Sequence, residues 1–148
     1  MQYSEGSLGR VFVLRMDHDE DFIESLQKFL NEKKIESCAA LFLGALRDGR
    51  AVTGPKSPVI PPTPNFEDYD SAWEVFGMAT VYSSAKGPKL HIHSAIGRGR
   101  QSLTGCIRDK ACVYLIVEAV LFEICGLAAE RVWDEKMLLY LLSLKNRL

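Results

Sequence analysis

The sequence has no cysteine pair at Cys-x-x-Cys spacing. Its four cysteines, Cys38, Cys106, Cys112 and Cys125, are scattered singly, which excludes a paired zinc ribbon. It has no surplus of either charge: 18 Lys and Arg stand against 19 Asp and Glu, for a formal net charge of −1. A dedicated nucleic-acid-binding domain carries a basic excess, so composition speaks against that class. It also lacks an unbroken apolar run of bilayer length. Ala111 to Ala129 comes nearest, but Glu118 and Glu123 interrupt it, and carboxylates near a bilayer centre are costly. Met1 to Arg10 is polar and contains glycine, so no secretory leader is read there, and a reducing cytoplasm with free thiols is expected. No internal repeat occurs. Proline is scarce outside Gly54 to Asp70, which holds five of the six. That segment has no periodicity and reads as a long surface loop, of the kind that is often functional.

What is present suits an ordinary globular protein. The 148 residues fit one domain, 1–148, with enough chain to bury a core. Gly9 to Met16 reads as a first strand, largely buried. Asp17 then reads as a helix N-cap with Glu20 three residues on. The helix runs to about Lys33, with Phe22, Leu26, Phe29 and Leu30 on one face. His18, at its entrance, reads as a solvated neighbour of the cap. Ile35 to Leu46 is a second strand, and Asp48-Gly49 is a hairpin signal that returns Ala51 to Thr53 as a short strand. Ser71 to Ser83 is strand-like, and Gly77 inside it marks a bulge or a close approach by a neighbour. Ala111 to Ala129 is rich in β-branched residues and fits a strand covered on both faces. Asp134 to Leu144 reads as a short helix or a strand, packed on the core or against another subunit.

The chemistry concentrates in Leu90 to Arg108, LHIHSAIGRGRQSLTGCIR. In a strand, residues i and i+2 share a face, so His91 and His93 point one way and Ile92 the other. A turn centred on Gly99 and Arg100 folds the chain back antiparallel. His93 then faces Cys106, and His91 faces Arg108. Opposed residues bring their Cβ atoms to roughly 5 Å, so two imidazoles and a thiol converge. Zn²⁺ accepts this mixture, and a catalytic zinc site keeps three protein ligands and one open position for a small molecule. A register slip of one residue would turn Cys106 to the other face. The alternative for a His-x-His pair is polar decoration of an exposed strand.

The ordered set GRVFVLRMDHDEDFIESLQKFLNEKKIESCAALFLGAL, a central W-x-x-x-G, LHIHSAIGRGRQSLTGCI and the apolar strand with its glutamate resembles the plants-and-prokaryotes conserved (PPC) domain. The resemblance covers nearly the whole chain. It implies an α+β fold, a largely antiparallel sheet or partial barrel with one main helix after the first strand, assembling as a homotrimer. It also implies similarity to the fold of acetolactate decarboxylase, a zinc enzyme. Metal-binding relatives show His-x-His followed by Gly-His. Here His91 and His93 match, and Gly105-Cys106 stands where Gly-His would be, a mild change because thiolate is a good zinc ligand.

From this, the first expectation is a metal-binding protein with His91, His93 and Cys106 holding Zn²⁺ or another divalent ion. Glu118 is the acid–base candidate for a lyase-like reaction, its alternative being a structural salt bridge to Arg108 or Arg131. The second expectation is a DNA-binding or regulatory module, as in plant relatives, using Arg98, Arg100, Arg108 and Lys110. Arg98-Gly99-Arg100 mimics an AT-hook core but continues with Gln101 and lies between strands, so it reads as a turn. The third is a scaffold presenting the proline-rich segment. No membrane partner is expected.

Overall fold

The computed structural model describes residues 1–144, so the last four positions of the expected 1–148 domain lie outside the described residues. The chain is a mostly antiparallel β-sheet with one short helix. The elements are β1 (Ser7–Asp17), α1 (Phe22–Lys33), β2 (Cys38–Pro55), β3 (Pro64–Tyr69), β4 (Trp73–Tyr82), β5 (Lys89–Arg98), β6 (Gln101–Cys125), β7 (Ala129–Asp134) and β8 (Leu139–Leu144). Six strands run in the order β1-β6-β5-β4-β2-β3, and β6 also pairs with β2. The sheet thus curls into a partial ring rather than a true barrel. The two longest strands, β2 and β6, do this by pairing with each other along most of their length.

The helix starts four residues later than the first acidic cap candidate. Asp21, not Asp17, is the N-cap, and its carboxylate accepts from the Ile23 and Glu24 amides. Asp17 and Glu20 instead close a turn before it: Glu20 Oε2 accepts from the Asp17 amide at 2.6 Å, and the Glu20 amide donates to the Asp17 carbonyl. Lys34 ends the helix in the left-handed region at φ 53°. Phe22, Leu26 and Leu30 form its buried face, at 0–1% exposure. They pack with Phe42, Leu121 and Val81 in the main core. Phe12 of β1 meets Phe29 edge-on, with ring centroids 5.2 Å apart.

Two loop expectations are corrected. Asp48-Gly49 makes no hairpin, because β2 runs straight through to Pro55 with bulges on either side. Gly49 is there because the Tyr69 hydroxyl and the Lys110 carbonyl occupy the space of a Cβ. Gly54 to Asp70 is not all loop either, since Pro64–Tyr69 forms β3 against β2. Proline hid this strand: it removes ladder donors and confines the segment to an edge, which is where β3 lies. Of the two readings of Gly77, the close approach holds and the bulge does not, with the Phe42 ring and the His93 carbonyl lying where a Cβ would stand and the ladders in register on both sides. The C-terminal segment resolves as a hairpin, β7 paired with β8.

Among the described residues, the first strand and the long apolar strand are each covered on one face only. Inward residues Met16, Val117, Ala119 and Leu121 are buried, while Val13 is 80% exposed and Leu115 62%. The outer face forms a continuous row across the sheet. His93 faces Met78, Met78 faces Leu41, Leu41 faces Val120, and Val120 faces Val13. No described helix is long and apolar enough to cross a membrane.

A bidentate ion pair closes the far end of the β1–β6 ladder. Arg10 donates from Nε and Nη2 to the Glu123 carboxylate, both at 2.7 Å, and its amide adds a third bond at 3.1 Å. The Arg10 guanidinium holds the Glu123 carboxyl down at about 2. The pair's contribution is therefore complete above the ordinary 4.5 of this carboxyl and is lost as pH falls through about 2. Glu123→Gln is expected to lose stability at neutral pH and to narrow its gap to wild type as pH falls. Urea midpoints measured at several pH values check this, and a gap independent of pH would contradict it.

Candidate metal centre

The β5–β6 hairpin has the predicted register from the turn as far as His93; the ladder ends there, and Arg108, expected across from His91, pairs with Arg50 of β2 instead. Arg98 pairs with Gln101 and His93 with Cys106, leaving Gly99 and Arg100 as the turn, with Gly99 at φ 60°. Arg98-Gly99-Arg100 is thus a hairpin turn, not a flexible hook. Ile92, Ser94 and Ile96 point into the core. His91 and His93 point outward, with the outer-face row of the sheet. On the other flank β4 sets Thr80 across from His91 and Met78 across from His93.

The donor atoms of His91, His93 and Cys106 all lie within 4.8 Å of one another. The two imidazole Nε2 atoms face each other at 3.1 Å, with the rings perpendicular. Cys106 is 6% exposed. Gly105 beside it lets β2 close in, because the Val52 carbonyl occupies the position of a Cβ. A cleft of about 500 Å³ opens onto the donors, walled by Val52, Pro55, Pro62, Pro64 and Phe66. The proline-rich segment is therefore a wall of this site.

The electrostatics suit neutral imidazole. Burial, then Arg131, His93 and Arg108, pushes His91 down to about 4, so at neutral pH its ring keeps a lone pair to offer. Burial pushes the Cys106 thiol up, opposed chiefly by the Arg108 guanidinium beside it. The donor set fits a tetrahedral ion closely. Two nitrogens on one zinc stand about 3.3 Å apart, and nitrogen and sulfur about 3.6 Å apart. The observed nitrogen pair is already at 3.1 Å. The widest gap, at most 4.8 Å, closes with a side-chain rotation of about 1 Å.

Glu118 is not brought to these donors. It lies twelve residues beyond Cys106 on the same strand, about 40 Å of extended chain, and ladders with Arg15 and Leu43. Across the sheet, three strand spacings of about 4.8 Å separate its row from β5. His18, the third histidine, is also elsewhere, with Nδ1 accepting from the Leu115 amide at 3.1 Å. Arg131 of β7, considered from the sequence only as a salt-bridge partner for Glu118, is the residue missed at this site. It reaches the His91 rung from outside the hairpin, donating from Nη2 to Thr80 Oγ1 at 3.3 Å. Nothing local in the sequence marks it, because the contact spans 51 residues.

A family model described as the Plants and Prokaryotes Conserved (PCC) domain matches residues 3–125. The chain belongs to this family. Solved structures of PCC-like fold include a metal-containing protein from Archaeoglobus fulgidus, 25% identical, at TM-score 0.84 over 95% of this chain and 98% of that one. A PPC protein from Pyrococcus horikoshii is 20% identical, at TM-score 0.81 over 99% of this chain and 100% of that one. A candidate DNA-binding protein from Ralstonia eutropha JMP134 is 13% identical, at TM-score 0.75 over 90% of each chain. No curated protein sequence is significantly similar to this chain. The PCC match ends at Cys125, so the β7–β8 hairpin that carries Arg131 lies beyond it.

Proposed function

We propose that this PCC protein binds one Zn²⁺ per chain through Nε2 of His91, Nε2 of His93 and Sγ of Cys106, leaving a fourth position open to the cleft. The carrying observation is the convergence of these three donors from two paired strands within 4.8 Å. The metal-containing relative at 25% identity supports it. Bound zinc would supply Lewis-acid polarisation of a small ligand's oxygen. His91 and His93 orient through their strand register, and Cys106 offsets one of the ion's charges in a half-dry setting. Elemental analysis after incubation with equimolar zinc and gel filtration tests this. About one zinc per chain is expected, and a zinc-free chain contradicts it.

Nucleic-acid binding is the weaker reading. Its support is structures of candidate DNA-binding proteins at 13% and 18% identity, which speak to fold alone. The net charge of −1 opposes it.

The same chain is proposed to assemble as a homotrimer through its outer sheet face. Val13, Leu41, Leu43, Phe76 and Met78 are 45–80% exposed there, a contiguous apolar surface larger than isolated exposed residues make. Light scattering should give three times 16.6 kDa, and Leu43→Glu should shift the mass to one chain. A wild-type protein of single-chain mass would sink this.

A further inference from the structure

Two clefts share His91, Arg108 and Leu139 as lining. The first holds the three donors. The second, about 250 Å³, adds Arg131 with Trp133 and Tyr140 of the C-terminal hairpin. Both arginines are held at the donor set by structure. Arg108 follows Cys106 by two residues on β6, so it shares that side chain's face, and both line the first cleft. Arg131 is anchored by its own backbone, whose amide donates to the Ser83 carbonyl at 2.7 Å. Its guanidinium bonds Thr80, the cross-strand partner of His91, and lies 5.7 Å from the Tyr82 ring centroid. Its Nε is buried and has no hydrogen-bond partner among the described residues. A buried guanidinium nitrogen left unpaired is costly, and an arginine fork is shaped for a planar two-oxygen anion.

We propose that Arg108 and Arg131 form an anion subsite beside the metal, and that its ligand is a small carboxylate with an apolar substituent. Resting on the zinc reading above, this adds what the open position takes. A zinc ion with one thiolate retains a positive charge, and the two guanidiniums raise it further. Asp109 lines the first cleft and offsets part of this. One carboxylate oxygen reaches the metal's open position while the other meets a guanidinium. The substituent lies against Val52, Pro64 and Phe66, walls that offer no donor for the third and fourth oxygens of a phosphate. Selection of carboxylate over phosphate follows from that lining.

The test is calorimetric titration of the zinc-loaded full chain with isobutyrate, its neutral isostere isobutyramide, and inorganic phosphate. Isobutyrate is expected to bind at least tenfold more tightly than either. Arg131→Met, which keeps an apolar stem, should weaken isobutyrate at least tenfold with zinc content unchanged. Arg108→Met, at an exposed position, is the second variant should the first not fold, judged by circular dichroism. Zinc bound at one per chain with isobutyrate affinity unchanged in both variants overturns the subsite alone. Equal binding of isobutyramide, or preference for phosphate, does the same. A chain that holds no zinc overturns the metal reading and the subsite with it.

Discussion

His93→Ala is expected to lower zinc affinity by more than about a hundredfold, the upper end of what losing even a ligand's supporting hydrogen bond costs. His91→Ala is expected to do the same, because each imidazole supplies one of the three donors that lie within 4.8 Å of one another among the described residues. Wild type should gain thermal stability on adding zinc, by about 2.7 kcal/mol at a free concentration a hundred times Kd. Both alanine variants should show no such gain at that concentration. His18→Ala is the control. Its ring bonds the Leu115 amide away from the donors, so its zinc response should match wild type. Competition with a chromophoric chelator gives the affinities, and differential scanning calorimetry gives the stabilities. Equal zinc responses in wild type and His93→Ala would contradict three-donor coordination.

Gly44→Ala is expected to be the most damaging small substitution, at about 3 kcal/mol or more. Gly44 sits in β2 opposite Val117 of β6, where the ladder shifts register. Its φ is +141°, a region that side chains rarely adopt. A Cβ would also meet the Ile116 carbonyl oxygen and stand 2.8 Å from the Val117 Cα. Those atoms are backbone and move only if the strand moves. The β2–β6 ladder curls the sheet into its ring, so the whole fold should feel the change. Urea unfolding gives the difference in midpoint, and a loss under about 1 kcal/mol would mean that the strands part easily here.

The candidate site was legible where its geometry is local. A turn at Gly99 and Arg100 and a period of two were enough to set His93 across from Cys106, because a hairpin register depends on a few adjacent residues. Gly77 signalled a bulge or a close approach by residue type alone, and only the long-range pairing with β2 and β5 decides for the close approach. What stayed hidden comes from long-range pairing. Asp48-Gly49 has the chemistry of a hairpin tip, yet the glycine serves packing by Tyr69 and Lys110. The prolines of the 54–70 stretch masked β3 and, with it, the wall of the cleft. Asp17 and Asp21 are equally good caps by type, and only the bond from Ile23 and Glu24 distinguishes them. Arg131 depends on β7 docking beside Ser83, a contact that no motif encodes. The long apolar strand looked covered on both faces because its sequence carries apolar residues on both parities. One of those faces is left largely exposed among the described residues, with Leu115 and Val120 at 62% and 36%.

X-ray absorption at the zinc edge on the stoichiometrically loaded protein tests the donor set most directly. Coordination by His91, His93 and Cys106 predicts two imidazole nitrogens at about 2.0–2.1 Å and one sulfur at about 2.3 Å, with a light fourth ligand. The sulfur shell should vanish in Cys106→Ser while the imidazole signal remains. A wild-type spectrum with no sulfur, or with fewer than two imidazoles, would contradict the three-donor site.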